Sequence, residues 1–117
     1  MALVRECCEE LALSGFAAWP NRTGAAKIDG RFVAFGKKGS GDIVAIFPVV
    51  LAGRKYGVHA ELEIKTGGGV QSKGQKAHMR AVKNSGGIYL VVRSREGLRA
   101  ELLRLGFVTP PGPPSGA

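Results

Sequence analysis

Hydrophobic positions along the chain change period several times, and each change marks an element. Over residues 2–14, Leu3, Cys7, Glu10/Leu11 and Ser14 recur on or near one helical face, and Gly15 supplies a stop. Phe16-Ala-Ala-Trp19 reads as a short strand, and Pro20-Asn21-Arg22-Thr23-Gly24 as a polar loop. Lys27 to Phe35 reads as a hairpin turning at Asp29-Gly30, a pair favoured in two-residue turns. The basic stretch Gly36-Lys37-Lys38-Gly39-Ser40-Gly41 feeds an apolar strand from Asp42 to Phe47, whose expected end is Pro48. After a loop at Gly53-Arg54-Lys55, a strand is predicted from Tyr56 to Lys65, and Gly67-Gly68-Gly69 breaks it. Ser72 and Gln75 match the Ser-x-x-Gln capping box of a second helix that runs to Gly86-Gly87. Ile88 to Val92, almost wholly apolar, reads as a buried strand. Ser94 then caps a third helix bearing Leu98, Leu102 and Leu105, with Gly106 as its stop. Pro110, Pro111, Pro113 and Pro114 predict a disordered tail over residues 109–117.

The expected order is α-β-(β)-β-β-α-β-α. It describes an α/β protein with one mixed sheet flanked by helices, in a single domain over residues 1–108.

Three charged residues interrupt the apolar pattern where strands should be hydrophobic. Asp42 opens one strand, and Glu63 and Lys65 end another. Side chains alternate along a strand, so Glu61, Glu63 and Lys65 share a face while Leu62 and Ile64 point the other way. If the two strands are neighbours, Asp42 meets Glu63 at one edge of the sheet. Two carboxylates converging there suit a hard divalent cation. Phosphodiester hydrolysis uses such an ion to polarise the phosphoryl oxygen and to acidify an attacking water. A lysine beside the carboxylates orients that water or offsets charge in the transition state. The competing reading is a Glu-Lys pair on a solvated strand face, which the bare Glu-x-Lys tripeptide favours.

Composition narrows the partner. The chain has 117 residues, 44% hydrophobic, enough for one ordinary core, and a net charge of +8. A basic domain of this size is drawn to polyanions, of which nucleic acid is the commonest. Arg22, Lys27, Arg31, Lys37, Lys38, Arg54, Lys55, Lys73 and Lys76 are candidate phosphate contacts, with a solvated basic surface as the plain alternative. The two cysteines are adjacent, Cys7 and Cys8, and make no disulfide framework, so a reduced, intracellular chain is expected. No apolar run reaches membrane-spanning length, and Arg5, Glu6, Glu9 and Glu10 are unlike a signal peptide. Trp19 and Tyr56 read as packing residues, and His78 as an ordinary helix residue one turn after Gln75.

Taken together, Gly39-Ser40-Gly41-Asp42-Ile43, Glu63-Ile64-Lys65-Thr66, Gly69-Val70-Gln71-Ser72 with Gln75, and Gly86-Gly87 resemble the VRR-NUC family, the virus-type replication–repair nucleases of the PD-(D/E)XK superfamily. Asn21-Arg22-Thr23-Gly24, Asp29-Gly30-Arg31-Phe32-Val33, Phe35-Gly36 and Arg93-Ser94 are similar to the small stand-alone phage members. The resemblance spans roughly residues 15 to 105.

The resemblance implies a restriction-endonuclease-like core. It implies a DNA endonuclease dependent on Mg2+ or Mn2+, with branched or four-way-junction DNA as a substrate class, 5′-phosphate products and a homodimer. Asp42 and Glu63 would be metal ligands, with the Ile64 carbonyl as a third, and Lys65 would position the water. Gln75 would sit beside the site, or serve only as a capping residue. A first-helix acid is expected among Glu6, Glu9 and Glu10, with Glu6 the first choice, although its distance from Gly15 is short for the family. Arg22, Arg31, Lys37, Lys38 and Lys73 would contact DNA. A non-catalytic nucleic-acid-binding module on the same scaffold is the alternative, and a basic structural protein of an RNA–protein assembly a third.

Overall fold

A computed structural model describes residues 2–22, 24–37 and 39–107, so Lys38 and the tail expected over residues 109–117 lie outside the described residues. In chain order the elements are helix α1 (Ala2–Leu13), strands β1 (Ala17–Pro20), β2 (Gly24–Ile28), β3 (Arg31–Phe35), β4 (Ile43–Leu51) and β5 (Arg54–Ile64), helix α2 (Lys73–Asn84), strand β6 (Ile88–Val92) and helix α3 (Arg95–Arg104). The fold is α/β, with a mixed central sheet of order β1-β4-β5-β6. β1 and β5 run antiparallel to β4, and β6 lies parallel to β5 with α2 as the crossover. The hairpin expected around Asp29-Gly30 forms a separate two-stranded sheet, β2-β3, inserted between β1 and β4. Asp29 (φ 51°) and Gly30 (φ 78°) take the left-handed conformations that a two-residue hairpin turn needs.

Strand alternation sends two different sets of side chains to the two faces of the sheet. Ile43, Ala45, Phe47, Ala60, Leu62, Ile64, Leu90 and Val92 form one core with Cys7 and Leu11 of α1 and Leu98 and Leu102 of α3. Glu61, Glu63 and Tyr89 point to the opposite face, where α2 is tied to β5 through His78 and Gln75. Among the described residues, no helix is long and apolar enough to cross a membrane.

Two sequence expectations are corrected. β4 does not stop at Pro48 but runs on to Leu51, with Pro48 opposite Gly57. Pairing with β1 ends at Ile46, so Pro48 lies where β4 has an open edge, a setting that tolerates the missing N–H. The loop expected at Gly53-Arg54-Lys55 is a two-residue turn, Ala52-Gly53, and Arg54 and Lys55 already belong to β5. Leu105 is 37% exposed at the end of α3. Beyond it, Phe107 packs against the core. The chain reverses at Gly106 (φ 91°), the Phe107 N–H donates to the Leu102 carbonyl at 2.8 Å, and the Phe107 ring lies 5.1 and 5.2 Å from Phe16 and Phe47.

Candidate active site

Asp42 and Glu63 reach the same end of the sheet because β4 and β5 are neighbours in a register that sets Ile43 opposite Leu62. Asp42 stands one residue ahead of β4 and is exposed. Its N–H donates to the Leu62 carbonyl at 2.8 Å, and its Oδ2 accepts the Ile64 N–H at 2.7 Å. Lys65 N–H donates to Val92 C=O at 2.9 Å, so the backbones of residues 63 and 65 face β6. Those of Leu62 and Ile64 therefore face the Asp42 side, and the Ile64 carbonyl opens toward that edge.

Glu63 is wholly buried. One carboxylate oxygen, Oε1, accepts from Tyr89 OH at 2.7 Å and from Gln71 Nε2 at 3.1 Å. The other, Oε2, is buried without a hydrogen-bond partner and lies 3.8 Å from Lys65 Nζ. The lysine amino group also donates to Gln75 Oε1 at 2.9 Å. That same oxygen accepts the Ser72 N–H at 2.9 Å, while Gln75 N–H donates to Ser72 Oγ at 3.1 Å. Gln75 therefore closes the capping box of α2 and holds Lys65 at once. Tyr89 pays for its burial with a phenol pushed well above its ordinary pKa, first by desolvation and then by its bond to the Glu63 carboxylate.

Glu61, two residues earlier on the same face, anchors a second cluster. Its Oε1 lies 2.7 Å from His78 Nε2 and accepts the Gly41 N–H at 2.9 Å, and its Oε2 lies 2.7 Å from His59 Nε2. Burial opposes its ionisation, but the Gly41 N–H and the two imidazoles outweigh that and hold its carboxyl below the usual range. A Cβ at Gly41 would sit 3.0 Å from both Glu61 Cβ and the Leu62 carbonyl oxygen, so a side chain there would press on this arrangement. Glu61 thus braces α2 on one side and the segment leading into Asp42 on the other.

The donor set at the Asp42 edge fits a hard cation. Two carboxylates and a main-chain carbonyl are oxygen donors, and the orphaned Glu63 Oε2 is an oxygen that a cation would satisfy. Among the described residues, no group of three or more His, Cys, Asp and Glu is arranged to hold an ion. Magnesium takes one or two carboxylates and keeps several waters, so it does not require such a group.

Glu6 is partly buried and adds to the negative field around Arg95 rather than to the contacts of Glu63. The fully buried acid of α1 is Glu10, paired with Arg95 at 2.9 Å and Arg99 at 3.0 Å across to α3. Desolvation works against its charge, yet the two guanidinium groups keep its carboxyl below the ordinary range. Arg22, Arg31, Lys37 and Lys73 are all exposed. Cys7 is a core filler whose thiol burial pushes up to about 11, with the neighbouring Cys8 adding to the shift. Trp19 and Tyr56 are half-exposed rim residues.

Sequence reasoning missed Tyr89, Gln71 and the coupling of His78 and His59 to Glu61. A tyrosine inside the run Ile88–Val92 was the available signal, because a buried phenol needs a partner for its hydroxyl.

Compared with protein-family models, with curated proteins and with solved structures, the chain matches none.

Proposed function

We propose that the chain is a metal-dependent DNA endonuclease of the VRR-NUC type, built on a PD-(D/E)XK core. The observation that carries this reading is Glu63: a wholly buried carboxylate with one oxygen held by Tyr89 and Gln71 and the other unpaired beside Lys65. The order α1-β1-(β2-β3)-β4-β5-α2-β6-α3 agrees with the one read from the sequence pattern, and its mixed sheet flanked by helices is compatible with such a core.

Asp42, Glu63 and the Ile64 carbonyl would hold Mg2+ or Mn2+. When bound, the ion would polarise the phosphodiester and lower the pKa of a water. Tyr89 and Gln71 fix Glu63 so that Oε2 is presented to the site. Gln75 aims the Lys65 amino group, which orients the water and offsets charge developing on the phosphoryl oxygens. Arg22, Arg31, Lys37 and Lys73 contribute phosphate contacts, as would Lys38. The substrate class is DNA, including branched DNA, cut to leave 5′-phosphates, and a homodimer would match a two-fold junction.

A non-catalytic DNA-binding module is favoured by one observation, that Asp42 Oδ2 is already committed to the Ile64 N–H. Incubation with supercoiled plasmid and a four-way junction, in magnesium, manganese or chelator, separates the two. Metal-dependent nicking lost in Asp42→Ala and Lys65→Ala supports the nuclease; binding without cleavage in every metal condition rejects it.

A further inference from the structure

The β2-β3 ribbon is the one two-stranded sheet among the described residues that stands apart from the central sheet. Among the described residues, its two strands contact chiefly each other. Its outer half carries large apolar side chains in water: Phe32 is 82% exposed, Ile28 53% and Val33 41%. An isolated two-stranded hairpin is marginally stable at best, so such exposure is costly without a partner. The same strands carry Lys27 and Arg31, both exposed. Cross-strand pairing sets Lys27 beside Phe32 and Arg31 beside Ile28, so each face combines a cation with an apolar side chain.

The base of the ribbon is fastened beside Asp42. Asn21 N–H donates to the Asp42 carbonyl at 2.8 Å, and Asn21 Nδ2 donates to Ser40 Oγ at 3.0 Å and to the Gly41 carbonyl at 2.9 Å. One side chain thereby joins the chain entering β2 to the chain that has left β3, at the edge where the candidate metal ligands lie.

We propose that this ribbon is a duplex-DNA arm, in which Lys27 and Arg31 contact phosphates and Phe32 is a wedge that enters between base steps. Five residues of strand span about 17 Å, enough to lie along a groove. An apolar wedge flanked by cations is the chemistry by which proteins unstack and kink a duplex. Held this way, the bent duplex lies against the Asp42 edge. The inference rests on the DNA reading of the preceding section, and its test uses binding and base unstacking, so that the two fail separately.

Full-length protein, with Ca2+ in place of Mg2+, is titrated into short duplexes carrying 2-aminopurine and an end-to-end fluorophore pair. Wild type should raise the 2-aminopurine signal and shorten the end-to-end distance. Phe32→Ala should abolish both signals and weaken duplex binding about tenfold, a loss in the range of one base–aromatic contact. Lys27→Ala/Arg31→Ala should weaken binding and reduce the salt slope by about 2. Phe32→Leu, which keeps an apolar wedge, should restore part of the bending. Unchanged fluorescence and affinity in Phe32→Ala, in a wild type that binds DNA, overturns the wedge. A Phe32→Ala change that alters sedimentation of the free protein instead assigns the ribbon to contact between copies, and also overturns it. Absence of DNA binding by the wild type rejects the DNA reading itself.

Discussion

On one face of the central sheet, Ile43, Leu62, Ile64, Leu90 and Val92 are closed over by α1 and α3 in a continuous apolar core. On the other, the same strands present Glu61, Glu63 and Tyr89, and α2 covers them without burying any residue of its own completely. Two polar contacts tie α2 to this face: His78 to Glu61, and Gln75 to Lys65. Burying charge and hydroxyl groups gains little stability even when they are paired. On the proposed reading, the apolar face serves folding and the polar face serves chemistry. That reading predicts that substitutions on adjacent residues of β5 will separate the two properties.

The largest contrast should come from Leu62 and Glu63. Leu62→Ala is expected to cost about 2–5 kcal/mol of stability by opening a cavity, read from denaturant unfolding. Glu63→Gln should leave the folded state largely intact while cleavage falls by roughly 10²–10³-fold or more, in the range of losing one aimed charge-stabilising group. If both substitutions act mainly on stability, the two faces do not differ as described.

His78→Ala sharpens the same point on the polar face. It leaves Glu61 Oε1 with the Gly41 N–H and removes the tie to α2, at an expected cost of about 1–3 kcal/mol. Hydrogen exchange should accelerate in α2 more than in α1.

Glu10 gives the apolar side its own polar control. Its carboxyl is held below the ordinary range in the folded protein. It therefore contributes stability above that range, and the contribution is lost as pH falls through the depressed pKa. Glu10→Gln should lower the urea midpoint at pH 7, and the gap from wild type should narrow as the protein is acidified. A gap that widens in acid would contradict the pairing with Arg95 and Arg99. The smallest effect belongs to the β4-β5 turn, where Ala52 sits at φ 50°. Ala52→Gly should stabilise by about 0.5–1 kcal/mol, measured as a raised unfolding midpoint.

Much of this division was legible in the sequence. The alternation Glu61-Leu62-Glu63-Ile64-Lys65 announced two faces, and Ser72 and Gln75 announced the start of α2. What was not legible depends on register and long-range approach. Nothing local says that Tyr89 will lie opposite Glu61, or that its hydroxyl will reach Glu63. His78 reads as an ordinary helix residue until α2 is laid over β5. Pro48 misleads because its tolerance depends on where pairing with β1 stops, which the local pattern does not show. The first-helix acid expected at the site had Glu6 as its first choice, whereas the acid of α1 that is buried is Glu10, and its partners Arg95 and Arg99 come from α3, out of reach of the local pattern.

The most direct measurement is nicking of supercoiled plasmid by wild type and Glu63→Gln, with both proteins shown to be folded. The account predicts nicking by the wild type in Mg2+ or Mn2+, none in chelator, and loss of activity in Glu63→Gln. Equal cleavage by the two proteins, or DNA binding without cleavage in every metal, would contradict it.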